Sequence, residues 1–87
     1  MRLDKYLKVS RLIKRRTMAK EVADQGRVKV NGQKAKASTD VKLGDELDIQ
    51  FGQKHVSLRI DRIEEKVKKE DATTFYTILK EERVNND

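Results

Sequence analysis

The sequence predicts an α+β domain on three observations. Apolar residues recur at helical spacing in two stretches before residue 26, the period changes to strict alternation at Val28, and an Asn-Gly pair at residues 31–32 marks a tight hairpin. With 87 residues, no Pro, no internal repeat and no low-complexity segment, a single domain with one modest core is expected.

Leu3, Tyr6, Leu7 and Ile13 recur at helical spacing, with Val9 at the margin of that face and Lys5, Lys8, Arg11 and Lys14 around it. They predict a first helix over about residues 3–12. Lys14, Arg15 and Arg16 read as a basic connector. Thr17 is the expected N-cap of the second helix, because its hydroxyl can accept from an unpaired amide of the first turn. Met18, Ala19, Val22 and Ala23 supply the second apolar stripe, and Gly26 fits the left-handed position that ends it. Val28 and Val30 alternate with Arg27 and Lys29, as in a half-buried strand. Asn31 and Gly32 both tolerate the positive φ of a type I′ turn, so residues 33–37 are expected to return antiparallel.

Leu43, Gly44 and Asp45 read as a second turn. Leu47, Ile49 and Phe51 predict a third strand, and Val56, Leu58 and Ile60, extended to Ile63, a fourth, joined through Gly52. Residues 66–71 read as a charged loop or the start of a helical turn. For residues 72–83 helix and strand are equally supported, while Phe75, Ile78 and Leu79 need somewhere to pack. The last four residues are expected to fray. Residues 1–65 are read as the main unit and 66–87 as a C-terminal extension of the same domain.

The net charge of +6 is unevenly spread: residues 1–36 hold twelve Lys/Arg against three Asp/Glu, residues 37–87 nine against twelve. Such segregation predicts one face that meets a polyanion. The chain has no Cys and one His, which excludes disulfides and thiolate metal sites; no metal or cofactor is expected. His55 falls in an alternating strand without a nucleophile partner or a Gly-rich phosphate loop, so no catalytic residue is assigned and no enzyme is expected. No apolar run approaches the roughly 18 residues of a membrane span, and a soluble cytoplasmic protein without a membrane partner is expected.

Arg offers phosphate two parallel hydrogen bonds, whereas Lys acts as a point charge. Arg2, Arg11, Arg15 and Arg16 are therefore the expected phosphate clamps, with Lys5, Lys8, Lys14 and Lys20 in support. Lys29, Lys34 and Lys36 would extend that surface onto the hairpin. The N-terminus of the second helix adds free amides and the positive end of its dipole. Gly26, Asn31 and Gly32 are assigned to turn geometry, and Asp4 to pairing a neighbouring Arg or capping its helix. Tyr6, the one aromatic of the basic half, is expected in the core, which favours recognition of structured RNA by shape and backbone over base stacking. A steep helix crossing would put Arg2 and Arg16 on one surface, and antiparallel packing would carry Arg2 to the end of helix two; spacing leaves both open. A DNA-reading helix-turn-helix is the competing class, but its second helix would carry only Lys20 and the hairpin follows with no third helix.

Arg2-Leu3-Asp4 opening a helix, Arg15-Arg16 before the second, Ala19, QGRVKVNG at 25–32, and a V-x-x-G-D turn at Val41, Gly44 and Asp45 together resemble the S4 RNA-binding domain, from Arg2 to about Leu47. The resemblance implies a two-helix S4 (alpha-L) motif packed on a small antiparallel sheet, with RNA contacts at Arg2, Arg15 and Arg16. Most S4 domains accompany a synthetase or pseudouridine synthase body; here about 40 residues follow, as in the stand-alone members. In length and in the closing FYTILKEER the chain resembles the Gram-positive branch that serves ribosome-associated quality control. The small ribosome-associated heat-shock relatives carry a longer basic extension. That likeness implies binding to obstructed large subunits through large-subunit rRNA and peptidyl-tRNA, supporting RqcH-dependent addition of C-terminal alanine to the stalled chain. The alternative is a subunit-recycling factor without a tailing role. Away from the ribosome a monomer is expected.

Overall fold

Two helices, α1 (Leu3–Val9) and α2 (Arg16–Asp24), precede five strands: β1 (Val28–Val30), β2 (Gln33–Lys34), β3 (Glu46–Phe51), β4 (Lys54–Ile60) and β5 (Tyr76–Arg83). The strands form one antiparallel sheet in the order β2-β1-β3-β4-β5. The structure is a computed structural model describing residues 1–83, so the fraying expected of the last four lies outside the described residues.

Helix α1 stops three residues before the expected Leu12, because Arg11 adopts a left-handed conformation at φ 63°. Its N–H donates to the Lys8 carbonyl (3.1 Å), and Ile13 N–H reaches back to the Leu7 carbonyl (3.0 Å), turning the connector out of the helix. Thr17 is not the cap of α2. The helix begins two residues earlier than that cap implies, at Arg16, after an extended Arg15 and without any side-chain cap, the connector having turned inward at the buried Ile13. The stripe of α2 is also narrower than predicted. Ala19 and Ala23 are buried, Val22 is half-buried, and Met18 lies outside at 53 % exposure. Gly26 ends α2 as expected: at φ 78° it donates to the Ala23 carbonyl, and Arg27 donates to Val22, the paired bonds of a Schellman ending.

Asn31 (φ 52°) and Gly32 (φ 84°) make the predicted type I′ hairpin. The return strand is two residues long rather than five, because residues 35–39 leave the sheet to close the core with Ala35 and Ala37. Their backbone is used there. Ala37 N–H donates to Asp24 Oδ1 (3.1 Å), while the Ala37 and Thr39 carbonyls accept from Asp4 (3.2 Å) and Leu3 (2.7 Å), two amides that open α1 with no partner in the helix. Gly44 (φ 86°) holds the second predicted turn.

Val28, Leu47, Ile49, Val56, Leu58 and Ile60 point to one face of the sheet and share a core with Leu3, Tyr6 and Leu7 of α1 and the two alanines of α2. The opposite face stays open. β4 ends at Ile60, so Ile63 packs at the core margin outside the strand it was expected to extend. Residues 69–74 form a 3-10 turn, and residues 76–83 are a strand. Phe75 is fully buried, its ring 6.3 Å from that of Tyr6 and its carbonyl accepting the Tyr6 hydroxyl at 2.9 Å. Ile78 and Leu79 remain 43 % and 45 % exposed on the edge strand: Ile78 faces the helix side but is left uncovered there, and Leu79 is the extra residue of a bulge. No helix among the described residues is long and apolar enough to cross a membrane.

Candidate nucleic-acid interface

Arg2 immediately precedes α1 and Arg16 is the first residue of α2, and the crossing of the helices brings both onto one carboxylate. Asp4 lies between them with its side chain 4 % exposed. Arg2 Nε is 3.3 Å from Oδ1, Arg16 Nε is 3.4 Å from Oδ2, and both arginine side chains are 49 % exposed. The Lys5 amide also donates to Asp4 Oδ1, at 2.8 Å. The alternative left open by spacing is thus decided: Arg2 and Arg16 share one surface, and Asp4 does the pairing expected of it. Two cations that would repel each other are held side by side, with part of each donor fork facing solvent.

The start of α2 adds to this surface. Arg15 is exposed, no side chain caps the helix and no acid occupies its first turn, so its leading amides stay unclaimed by side chains. Lys8, Arg11, Lys14 and Lys20 are exposed and form no salt bridge among the described residues. Lys5 differs. It is half-buried and paired with Glu65, whose carboxyl it holds below the usual range by hydrogen bond and charge.

The hairpin cations are dispersed. The Lys34 side chain lies against Gly26, about 14 Å along α2 from Arg16 by the rise of a nine-residue helix, where a cation complements the dipole. Lys36 sits in the loop bonded to the start of α1. Lys29 belongs to the open face of the sheet, opposite Asp48.

Asn31 has a second task beyond its turn. Its side chain donates to Asp45 Oδ1 (3.1 Å) and accepts from the Glu46 amide (3.0 Å), tying the hairpin to the Gly44 turn. Sequence reasoning missed that link, the Lys5–Glu65 pair and the Tyr6–Phe75 bond, which join residues far apart in the chain and leave no local signal. On the open face the His55 Nε2 atom lies 3.4 Å from Asp48 Oδ1, and the Ser57 hydroxyl donates to the same carboxylate. Among the described residues no nucleophile is hydrogen-bonded to the imidazole.

Residues 1–47 match the S4 domain family. The chain is 64 % identical over 84 residues to the RQC P-site tRNA stabilizing factor of Bacillus subtilis (strain 168), covering 97 % of this chain and 98 % of that protein. To the factor of the same name from Listeria innocua it is 68 % identical over 85 residues, covering 98 % and 92 %. The fold superposes on the trimeric heat shock protein 15 of Vibrio cholerae with a TM-score of 0.83 at 30 % identity, covering 90 % of this chain and 80 % of that one. The greater likeness to the stabilizing factors agrees with the branch read from the closing FYTILKEER.

Proposed function

The chain belongs to the S4 domain family, and from that premise we propose that it binds structured RNA on obstructed large ribosomal subunits, contacting large-subunit rRNA and peptidyl-tRNA together. The observation that carries this reading is the pair of guanidiniums, Arg2 and Arg16, held side by side on the buried Asp4. Each can meet a phosphate through two parallel hydrogen bonds, and their fixed placement reduces the side-chain entropy lost on binding. Arg15, Lys14 and Arg11 continue the charge along the connector, with Lys8 and Lys20 on the flanking helices. The exposed start of α2 adds amides suited to a phosphate oxygen. Lys5, Lys34 and Lys36 have secondary parts in this reading, since one is paired and another lies at the far end of α2.

The relatives named RQC P-site tRNA stabilizing factor support peptidyl-tRNA as one of the two ligands. Held in place by such a factor, the tRNA would keep the stalled chain presented while RqcH directs alanine addition. In this reading the protein is a cytoplasmic binding protein and not an enzyme, acts as a monomer off the ribosome, and uses residues 66–87 as an extension of its one domain.

The test is cosedimentation with purified large subunits, with and without bound peptidyl-tRNA. Arg2→Ala and Arg16→Ala should each weaken binding about tenfold at fixed salt, the double variant by less than the product because both side chains share Asp4. Arg16→Lys should recover only part. Binding unchanged in both single variants would sink the clamp. Equal affinity for empty and tRNA-bearing subunits would favour the recycling alternative.

A further inference from the structure

Two adjoining hollows lie between the connector and the sheet, with Leu12 and Phe51 in the walls of both. One, of about 390 Å³, is walled by Val56, Tyr76 and Ile78. The other, of about 320 Å³, is walled by Ile13, Met18 and Val22. They exist because α1 ends early: the left-handed Arg11 swings the chain aside, so no helix covers this end of the sheet's apolar face. Ile78 pairs with the buried Leu58 and so faces the helix side, yet it remains 43 % exposed, and Met18 at the opposite end of the strip is 53 % exposed.

The rim is cationic. Arg11 borders the first hollow, and Lys14 and Arg15 the second. The one acid lining either hollow, Glu81, is already paired with Lys54.

We propose that this strip docks an amphipathic helix of a protein partner. Two of the partner's apolar side chains, one helical turn apart, would fill the two hollows, and acidic residues on its flanks would meet Arg11, Lys14 and Arg15. Residues three or four apart on a helix stand about 5–6 Å apart, which suits two hollows that share Leu12 and Phe51 in their walls. The wall chemistry favours a protein over an inserted RNA base. It is mainly aliphatic, with Phe51 and Tyr76 as its only rings, and no buried side-chain polar atom among the described residues lacks a hydrogen-bond partner that a base edge could supply. An apolar floor with exposed Met and a rim of Arg has the composition of a protein interface. The RNA reading is carried by Arg2, Asp4 and Arg16; Arg11, Lys14 and Arg15, which extend its charge along the connector, are the cations assigned here to the partner instead.

The experiment places a photo-crosslinking amino acid at position 18 and, separately, at position 78 of the full chain in the cells that make it. Both positions should yield an adduct with the same protein. The attachment sites should map to one helix, near apolar residues three or four apart flanked by Asp or Glu. Met18→Glu, at an exposed position that leaves the fold intact, should reduce the adduct formed from position 78 at least fivefold. Adducts with RNA, with a second copy of this chain, with different proteins at the two positions, or with none would each overturn the proposal.

Discussion

A carboxylate almost wholly enclosed between two half-exposed arginine side chains keeps their guanidiniums where mutual repulsion would part them. Asp4→Asn preserves size and removes the charge. It should lower stability by about 1–2 kcal/mol, seen as a fall in Tm of roughly 5–10 °C in thermal unfolding. The same variant should bind RNA less tightly although it raises the net charge, because Arg2 and Arg16 lose their positions; tighter binding would mean that charge alone governs. Tyr6 carries a second prediction at this scale. Burial, with the nearby charge of Asp61 and then Tyr76, pushes its phenol far above the ordinary range. The unfolded chain ionises near about pH 10 and the folded chain does not, so this contribution is present below about pH 10 and is lost as pH rises beyond it. The urea midpoint of the wild type should therefore fall more steeply above about pH 10 than that of Tyr6→Phe. Arg2, Arg15 and Arg16 could be nominated from the sequence as candidates; the convergence of Arg2 and Arg16 on Asp4 could not, because it depends on a crossing angle that residue spacing leaves free.

Helix ends show how local signals succeed and fail. Both helices finish on a left-handed residue, Arg11 after α1 and Gly26 after α2. The glycine announced its ending and the arginine did not, so α1 was predicted three residues too long. A Cβ at Gly26 would meet nothing closer than the Lys34 side chain at 3.8 Å, so the backbone alone decides the effect of Gly26→Ala. At φ 78° that change should destabilise by about 1–2 kcal/mol in denaturant titration. The hairpin and both turns were read correctly because Asn-Gly and isolated glycines report positive φ directly. Strand β5 was ambiguous for a different reason. The bulge sets Ile78 and Leu79 side by side in sequence, which breaks the alternation that would have marked a strand.

At the scale of the whole molecule, the basic first half and the acidic second half share one core. Phe75 sits beneath α1 and is fully buried, so the helix carrying Asp4 leans on a residue beyond the matched family segment. Phe75→Ala should cost about 3–5 kcal/mol, a large part of what a small domain has, and denaturant unfolding would measure it. RNA binding should weaken with it even though none of the cations assigned to RNA is altered; the cation that loses a contact is Arg62, whose guanidinium lies 5.4 Å from the Phe75 ring centroid. Charge segregation, visible from composition, predicts the ionic-strength response. With about six phosphates neutralised, affinity should drop roughly a thousandfold between about 50 and 200 mM salt, read as the slope of log K against log salt. A flat slope would remove the polyanion reading altogether. Long-range joints such as Lys5–Glu65 stayed invisible because neither partner differs from an ordinary surface charge until the fold brings them together.

The uncapped, doubly basic start of α2 also bears on how long the protein survives. Arg15 and Arg16 oppose the positive end of the helix dipole, a local conflict that a bound phosphate relieves. Bound chains are thereby withdrawn from the unfolded pool by mass action, whereas free chains open more often and are exposed to proteases. Cellular abundance would then follow demand through turnover alone. After translation is arrested, the half-life should lengthen where RNA targets accumulate, with no change in synthesis.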